Sequence, residues 1–352
     1  MLTKALAGLV LAVVLSLILT PWVKHLAIKV KAIDRPDERK VHKCLMPRMG
    51  GLAVYISFAV AALVVLPFSL PLAGLLFGGL LIVLLGIVDD IKSLPAKVKL
   101  GGQILAALAV VPFGIQVDFI TNPLTGGIFA LGIFAVPLTV FWIISVTNAV
   151  NLIDGLDGLA GGVSMIAALT IAAVTWYQGF YEGFAFSTMA EVAMLALILV
   201  GAVLGFLRYN FYPAKIFLGD TGSMFLGYCL AVLAVMGLTK SAAAISVFIP
   251  IVILGIPLLD TFFAIVRRRV KKRPIFQPDK EHLHHCLMSM GLSHRQTVLA
   301  IYAISALLGG SAFMLNVVST NQAMLLLGLM SIVVIIGANK IGIIGRKASV
   351  SS

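Results

Sequence analysis

Residues 70–88 read LPLAGLLFGGLLIVLLGIV, carry no charged side chain, and are followed at once by Asp89-Asp90. A helix needs about 20 mostly apolar residues to cross the roughly 30 Å hydrocarbon core of a bilayer, so this run predicts a membrane span. Because lipid offers no hydrogen-bond partners to the backbone, the span is predicted to be helical. The stretch therefore places two carboxylates at the end of a membrane helix.

The whole chain shares the apolar character of this run. Its 352 residues are 61% hydrophobic and only 11% charged, with a mean hydropathy of +1.10, far outside the range of soluble globular domains. The first run has no small-residue cleavage site, so it is predicted to be retained as a span. We predict an all-α, polytopic membrane helix bundle that forms one integral-membrane domain over residues 1–352, with about eleven transmembrane helices at residues 3–25, 50–68, 70–88, 99–117, 128–148, 159–178, 186–206, 222–239, 243–266, 296–314 and 321–339.

The basic residues predict the orientation of the bundle. If the predicted spans alternate, only Lys4 and Lys240 of the 26 Lys and Arg residues fall on one side of the membrane. Since basic residues accumulate in cytoplasmic loops, the opposite side is predicted to be cytoplasmic. The N-terminus is then outside and the C-terminus cytoplasmic. We attribute the net charge of +12 to this topology, and no nucleic-acid partner is predicted.

Five aspartates lie at predicted cytoplasmic ends of spans, although the chain has only 14 acidic residues. Carboxylates at a membrane edge are costly unless a cation faces them. Magnesium favours oxygen ligands and is commonly held by one or two carboxylates together with substrate phosphates, so it is the leading candidate. Solvated helix ends are the alternative, and five carboxylates exceed what one ion needs. The five are Asp89, Asp90, Asp154, Asp157 and Asp220.

Polar residues recur at every third position between the fifth and sixth predicted spans. Asn148, Asn151, Asp154 and Asp157 form one drifting strip if the backbone is near-helical, and the glycine after each aspartate permits a break. Such a strip can hold a polar ligand at a helix end. The alternative is a set of helix caps between the two spans.

Asp220 stands in Gly219-Asp-Thr-Gly-Ser223, at the start of the eighth predicted span. Asp220 or Thr221 can serve as a helix N-cap. Alternatively, the helix N-terminus faces a phosphate while Asp220 holds its metal ion. Asp260 lies about 10 Å inside the cytoplasmic end of the ninth span. An ionisable group at that depth indicates a function, or a pair with a neighbouring helix.

A basic, histidine-rich loop follows the ninth predicted span. It contains Arg267, His282, His284 and His285. Basic residues at this position are typical stop-transfer anchors. Imidazoles among many cations also suit a phosphate or pyrophosphate, to which they donate hydrogen bonds. Zinc is disfavoured because the sequence offers no second ligand cluster near these histidines.

The first predicted cytoplasmic loop has the same character. It contains His42 and Lys43 and leads through Pro47-Arg48 to Gly50-Gly51 at the start of the second span. Basic groups and glycines there suit an anionic head group, and a solvated charged loop is the alternative.

In this order, the motifs resemble the polyprenyl-phosphate N-acetylhexosamine-1-phosphate transferase superfamily, over nearly the whole chain. Within it, Pro278 to His285 looks like the TagO/WecA branch, because the muramyl-pentapeptide branch carries three consecutive histidines and Leu283 interrupts them here. The matching pieces are His42 with Pro47 and Gly50-Gly51, Asp89-Asp90, Asn148 to Gly158, Asn210 to Ser223, and Pro278 to His285.

The resemblance implies roles for individual residues. Asp220 matches the metal ligand, for Mg²⁺ or for Mn²⁺ in its place, and Asp89 the residue that activates the lipid phosphate. The histidines match the pyrophosphate-binding region. We take as the catalytic set Asp89, Asp90, Asp154 and Asp157, and as the substrate-binding set His42, Lys43, Asn148, Asn151, Asn210, Arg267, His282, His284 and His285.

The implied reaction transfers GlcNAc-1-phosphate from UDP-GlcNAc to undecaprenyl phosphate at the cytoplasmic face of a bacterial inner membrane, and releases UMP. It would open the synthesis of a cell-envelope polysaccharide, and the family also implies a homodimer. We favour direct attack by the lipid phosphate, and an aspartyl-phosphate intermediate is the alternative. The nearest alternative function is phospho-MurNAc-pentapeptide transferase. A secondary transporter is a remote alternative, since transporters place their sites near the bilayer midplane.

Overall fold

A computed structural model describes residues 2–34, 45–122, 127–181, 186–237, 248–270 and 282–341 of the chain. Two short antiparallel strand pairs accompany the helices: β1 (Ile33–Asp34) with β2 (Met46–Pro47), and β3 (Phe119–Thr121) with β4 (Ile128–Ala130). The helices are α1 (Leu2–Lys29), α2 (Gly50–Val65), α3 (Leu70–Lys92), α4 (Ala96–Ala109), α5 (Ala135–Leu152), α6 (Leu159–Tyr181), α7 (Phe186–Asn210), α8 (Gly219–Gly237), α9 (Phe248–Ile253), α10 (Gly255–Val270), α11 (Leu283–Ser289), α12 (His294–Val317) and α13 (Thr320–Ile341).

The predicted all-α, polytopic membrane bundle is confirmed. Within the described residues, nine helical segments are long and apolar enough to cross a bilayer, and α2 is a shorter apolar helix of 16 residues. The predicted ninth span is divided, because α9 ends at Ile253 and α10 begins at Gly255. Pro257 stands in the first turn of α10, where a helix tolerates proline. The number of spans and their orientation stay predictions.

Helix α8 is the centre of the bundle. All its residues except Asp220 are buried, and it packs against α2, α3, α5 and α6. Glycines permit this close packing: a side chain on Gly227 would press on the backbone at Thr147 of α5, and one on Gly51 of α2 would overlap Gly222. Small residues at such positions let membrane helices approach closely. The start of α8 is thereby fixed against its neighbours.

The segments that precede α2 and α8 are hydrogen-bonded to each other. The N–H of Phe217 donates to the carbonyl of Pro47 at 2.8 Å, and the N–H groups of Gly50 and Gly51 donate to the carbonyls of residues 217 and 218 at 3.0 and 2.9 Å. This ladder brings Arg48 next to Asp220, 172 positions further along the chain.

Candidate active site

Asp90, near the end of α3, caps the N-terminus of α8 from the neighbouring helix. Its Oδ1 accepts a hydrogen bond from the N–H of Asp220 at 2.9 Å, and its Oδ2 accepts from the N–H and the hydroxyl of Thr221 at 3.1 and 2.7 Å. Gly86 permits this contact, since a side chain there would overlap the backbone of Thr221. The amide groups at the start of α8 are thus satisfied by Asp90. The N-cap role considered for Asp220 or Thr221 belongs to Asp90.

The carboxylate of Asp220 is held from several sides. Its Oδ1 accepts a hydrogen bond from Nδ2 of Asn151 at 2.6 Å and lies 3.8 Å from Nζ of Lys99. Its Oδ2 accepts from Nη2 of Arg48 at 3.1 Å. Asn151 also donates to the hydroxyl of Ser223, one turn along α8, at 2.8 Å. The end of α5 and the start of α8 are joined through this carboxylate.

Asp89 makes different hydrogen bonds from its neighbour Asp90. Its Oδ2 accepts a hydrogen bond from Nζ of Lys99 at 2.6 Å, and its Oδ1 accepts from the N–H of Leu94 at 2.6 Å. The residue is buried, with 3% of its surface exposed. Adjacent positions of a helix point about 100° apart, which accounts for the division of contacts. Lys99 links the two carboxylates Asp89 and Asp220.

Arg48 is the residue of this cluster that sequence reasoning did not select. Its guanidinium contacts three carboxylates: Asp90 at 3.2 Å, Asp220 at 3.1 Å and Asp34 at 3.5 Å. The sequence showed only a basic residue in a polar loop, and the aspartates that it meets lie in β1, α3 and α8. Lys99 was missed in the same way, as one of several lysines after α3. A carboxylate-rich edge is the one signal that predicts cations nearby.

The polar strip between α5 and α6 does not stay together. Because α5 ends at Leu152, the later residues of the strip lie in a loop and point elsewhere. Asn148 exchanges hydrogen bonds with Gln103 of α4 at 2.7 and 3.3 Å. Asp157 accepts from the N–H of Ala214 at 2.9 Å. Only Asn151 reaches Asp220, while Asn148 and Asp157 brace neighbouring elements.

Asn210, the last residue of α7, ties two loops together. Its Oδ1 accepts a hydrogen bond from the N–H of Gly158 at 3.1 Å, and its Nδ2 donates to the carbonyl of Ile216 at 3.0 Å. Gly158 has a positive φ of 77°, which suits glycine. Asn210 therefore fixes the α5–α6 loop against the segment that leads to Asp220.

Asp154 lies in the α5–α6 loop and differs from the other aspartates. Among the described residues, no hydrogen bond or ion pair reaches its carboxylate. Burial raises the pKa of its carboxyl to about 8, and the charges of Asp220, Asp90 and Asp157 add to the rise, against Arg48. A carboxyl with this pKa is mostly protonated near pH 7, because it is buried and the cations of the cluster do not offset the neighbouring negative charge.

The histidines form a second wall beside this loop. The ring of His284 lies against Gly155, so that a side chain on Gly155 would meet its Nε2. Burial lowers the pKa of His284 to about 3, with a further contribution from His285, so the imidazole is neutral near pH 7. Its N–H remains able to donate to a phosphate oxygen. The histidine segment and Asp154 therefore flank the same glycine.

His282 is anchored to the buried Asp260. Its Nδ1 lies 2.8 Å from Oδ2 of Asp260, and the other carboxylate oxygen accepts from the N–H of Leu283 at 2.8 Å. Asp260 thus pairs with the neighbouring segment, one of the two outcomes considered for it. The ring of His285 lies tilted by 41° against that of His284, with ring centroids 4.2 Å apart, and Arg267 is buried near the end of α10. His42 and Lys43 lie outside the described residues.

The donor chemistry of this site fits a hard divalent ion. Carboxylate and amide oxygens of Asp220, Asn151, Asp89 and Asp90 lie within one cluster, and Asp154 adds a carboxylate with no described partner. Within the described residues, no group of three or more acidic, histidine or cysteine side chains is placed to hold a metal ion by itself. Mg²⁺ does not need one, because it takes one or two carboxylates and completes its shell with phosphates and water.

A membrane helix bundle with carboxylates, cations and histidines at one end has the form of a membrane-embedded phosphotransferase. The comparison with known proteins makes this more specific. A family model described as Glycosyl transferase family 4 matches residues 72–238. The chain is also 43% identical to the "Probable undecaprenyl-phosphate N-acetylglucosaminyl 1-phosphate transferase" of Bacillus subtilis, over 99% of this chain and 96% of that protein.

Two further relatives are similar to most of the chain. The "Decaprenyl-phosphate N-acetylglucosaminephosphotransferase" of Mycolicibacterium smegmatis is 36% identical, over 94% of this chain and 87% of its own length. The "Phospho-N-acetylmuramoyl-pentapeptide-transferase" of Moorella thermoacetica is 34% identical, over 87% of this chain and 96% of its own length. The chain belongs to glycosyl transferase family 4, and within it to the TagO/WecA-type polyprenyl-phosphate N-acetylglucosamine-1-phosphate transferases. The resemblance stated from the motifs is confirmed.

Proposed function

We propose that this protein transfers GlcNAc-1-phosphate from UDP-GlcNAc to undecaprenyl phosphate, giving undecaprenyl-diphosphate-GlcNAc and UMP. The near full-length similarity to the Bacillus subtilis relative carries the choice of substrates. The single structural observation that supports the chemistry is the cluster of Asp89, Asp90 and Asp220 with two cations at one end of the bundle. The product would be the first membrane-bound intermediate of a cell-envelope polysaccharide.

The donor diphosphate would lie between the aspartate cluster and the histidine wall. Asp220 and Asp154 would hold Mg²⁺, or Mn²⁺ in its place, and the ion would offset the negative charge of the diphosphate. Neutral His284 would donate a hydrogen bond to a phosphate oxygen, with His282, held by Asp260, as a second donor. Arg267, His285, His42 and Lys43 are proposed to contribute further to anion binding.

Asp89 is proposed to receive a proton from the lipid phosphate, the role that the family resemblance implies for it. Lys99 stabilises its carboxylate at 2.6 Å, and Leu94 fixes its orientation. The deprotonated lipid phosphate oxygen would attack the sugar-linked phosphorus, and UMP would leave on the opposite side. Direct attack is favoured because most of the aspartates are already engaged. Backbone amides hold Asp90 and Asp157, and the amide of Leu94 with Lys99 holds Asp89. A covalent aspartyl-phosphate would have to form on Asp154 instead.

The site is proposed to face the cytoplasm of a bacterial inner membrane. Arg48, Lys99 and Arg267 lie on the side where the predicted topology gathers 24 of the 26 basic residues. UDP-sugars are polar and anionic, so a donor site at this edge is reached from water without crossing lipid. A homodimer is a further part of the proposal, and size measurements on the detergent-solubilised protein would test it.

Donor choice is tested by competition. The purified protein in detergent is given undecaprenyl phosphate, Mg²⁺ and equal concentrations of UDP-GlcNAc and UDP-MurNAc-pentapeptide, each with a different label. We expect the GlcNAc label to enter the lipid phase, and EDTA to abolish the transfer. Preference for the pentapeptide would identify the alternative that the Moorella thermoacetica relative represents. Transfer with neither donor, in lipid preparations that support a known transferase, would contradict the proposal.

A further inference from the structure

Arg48 joins three parts of the chain through three carboxylates. Its Nε lies 3.2 Å from Oδ1 of Asp90, its Nη2 lies 3.1 Å from Oδ2 of Asp220, and its Nη1 lies 3.5 Å from Oδ1 of Asp34. The planar guanidinium suits such fixed multiple contacts better than a lysine would. About a quarter of the side chain, 27%, remains exposed. Arg48 thus contacts three carboxylates while part of its side chain remains exposed.

The backbone holds Arg48 at this position. Its N–H donates to the carbonyl of Ala32 at 2.9 Å, in the turn that leads to the β1–β2 pair. The next residue, Met49, has a positive φ of 84° and starts α2 against the segment before α8. The guanidinium is therefore directed by the ladder between these segments. Its contact with Asp220 is part of the fold.

Both oxygens of Asp220 face cations or donors in this arrangement. Arg48 holds Oδ2, while Asn151 and Lys99 lie at Oδ1. A divalent ion that approaches Asp220 therefore meets two positive charges within 4 Å of that carboxylate. Repulsion between like charges opposes its binding. A donor diphosphate reverses the balance, because it brings negative charge that the ion, Arg48 and Lys99 can share.

We infer that Arg48 is a positioning residue that orients and neutralises the Asp220 carboxylate while the donor is absent, so that Asp220 takes a divalent cation only together with the donor diphosphate. The inference rests on the proposed function and on the assignment of Asp220 as the metal ligand. It predicts an order of binding that activity alone does not reveal. Metal and UDP-sugar enter as a pair.

The test measures Mn²⁺ binding by electron paramagnetic resonance on the purified full-length protein in detergent, without turnover. The wild type is titrated alone and with UDP-GlcNAc, and lipid acceptor is omitted. We expect weak binding to the protein alone and binding at least about tenfold tighter with the donor, beyond the affinity of Mn²⁺ for UDP-GlcNAc in solution. In Arg48→Gln, donor-free binding should itself become at least about tenfold tighter than in the wild type.

Two variants serve as controls. Lys97→Gln removes one positive charge from an exposed residue in the first turn of α4 and should leave donor-free binding unchanged. Asp220→Asn combined with Arg48→Gln should remove the binding that Arg48→Gln gains, which locates the ion at Asp220. Arg48→Lys keeps the charge and should keep donor-free binding weak. If Arg48→Gln does not yield a monodisperse protein, the wild type and Arg48→Lys are compared with and without UDP-GlcNAc instead.

The outcomes separate the inference from the proposed function. Donor-free binding in the wild type that is as tight as binding with the donor would overturn the inference alone. So would an Arg48→Gln protein that folds and binds donor-free Mn²⁺ no better than the wild type. Failure of the wild type to bind Mn²⁺ even with UDP-GlcNAc would overturn the proposed function, and the inference with it.

Discussion

Polar side chains make different kinds of contact at the two ends of the bundle. At the outer end of the predicted topology, Ser69 donates to Glu191 at 2.6 Å, and Gln178 donates to Asn316 at 2.7 Å, so the contacts join two residues each. At the opposite end, the single residue Asp220 contacts three others: Arg48, Asn151 and Lys99. Isolated pairs like those at the outer end are typical of helix association in membranes. A shared network with surplus carboxylate is typical of a site that receives a charged ligand.

The largest expected effect distinguishes these two ends. Asp220→Asn removes the charge that is proposed to hold the metal ion, and turnover should fall at least about 100-fold. Glu191→Gln removes a carboxylate from the outer end and should leave turnover unchanged, because its contact with Ser69 can persist as a neutral hydrogen bond. Initial rates of lipid labelling at saturating substrate measure both. Equal losses in the two variants would remove the functional distinction between the ends.

Two aspartates of the inner end should separate stability from activity. Asp90→Ala leaves the amides at the start of α8 without their acceptor and should cost about 1–3 kcal/mol of stability. Asp154→Ala removes a carboxylate that no described residue bonds, so its thermal midpoint should stay level or rise while turnover falls. Midpoints in detergent and transfer rates are measured together. A strongly destabilised Asp154→Ala protein would show that the loop needs this carboxylate for folding.

Two lysines of α4, Lys99 and Lys97, should differ in their effect on turnover. Lys99→Met deprives Asp89 of its contact at 2.6 Å, and turnover should fall about tenfold. Lys97→Met removes an exposed charge two residues earlier and should have no effect. The transfer assay over a range of lipid acceptor concentrations distinguishes binding from turnover. Identical behaviour of the two variants would mean that Asp89 does not depend on Lys99.

The last expected effect concerns pH and the histidine wall. The pKa of His284 is lowered to about 3 in the folded protein, below its ordinary value near 6.5, so it favours folding above pH 6.5. That contribution is lost as pH falls, because the unfolded chain binds the proton first. Between pH 7 and 5, His284 alone should lower the stability by about 2 kcal/mol.

The matched variant for this prediction is His284→Gln, which keeps a donor of similar size but does not titrate in this range. Thermal midpoints of both proteins are compared between pH 5 and 7. The wild type should lose more stability on acidification than the variant. Parallel curves would show that His284 is accessible to protons in the folded protein.

The sequence predicted that the protein is a membrane helix bundle and which residues belong to the site. It predicted the geometry of the site less well. Uninterrupted apolar runs such as residues 70–88 predict spans directly, since the bilayer sets their length. The division of the ninth span was not predicted, because its apolar character continues across Leu254. The strip from Asn148 to Asp157 was expected to share one face if helical, but α5 ends at Leu152 and the strip is divided.

Contacts between distant segments were the part that the sequence could not show. Arg48 meets Asp220 across 172 positions, and only the ladder between the segments before α2 and α8 brings them together. The role of Asp90 as a cap for α8 likewise depends on the close approach that Gly86 permits. Local periodicity carries no information on such pairings. The motifs identified which aspartates matter, and the packing of glycines determines what each one touches.

In the proposed reaction a sugar phosphate, and not the sugar alone, moves to the lipid. UDP-GlcNAc labelled with ³²P at the phosphate next to the sugar tests it directly, with purified protein, undecaprenyl phosphate and Mg²⁺. We expect ³²P to enter the lipid phase while unlabelled UMP appears in equal amount. Retention of ³²P in the aqueous phase as UDP, with only the sugar in the lipid, would contradict it.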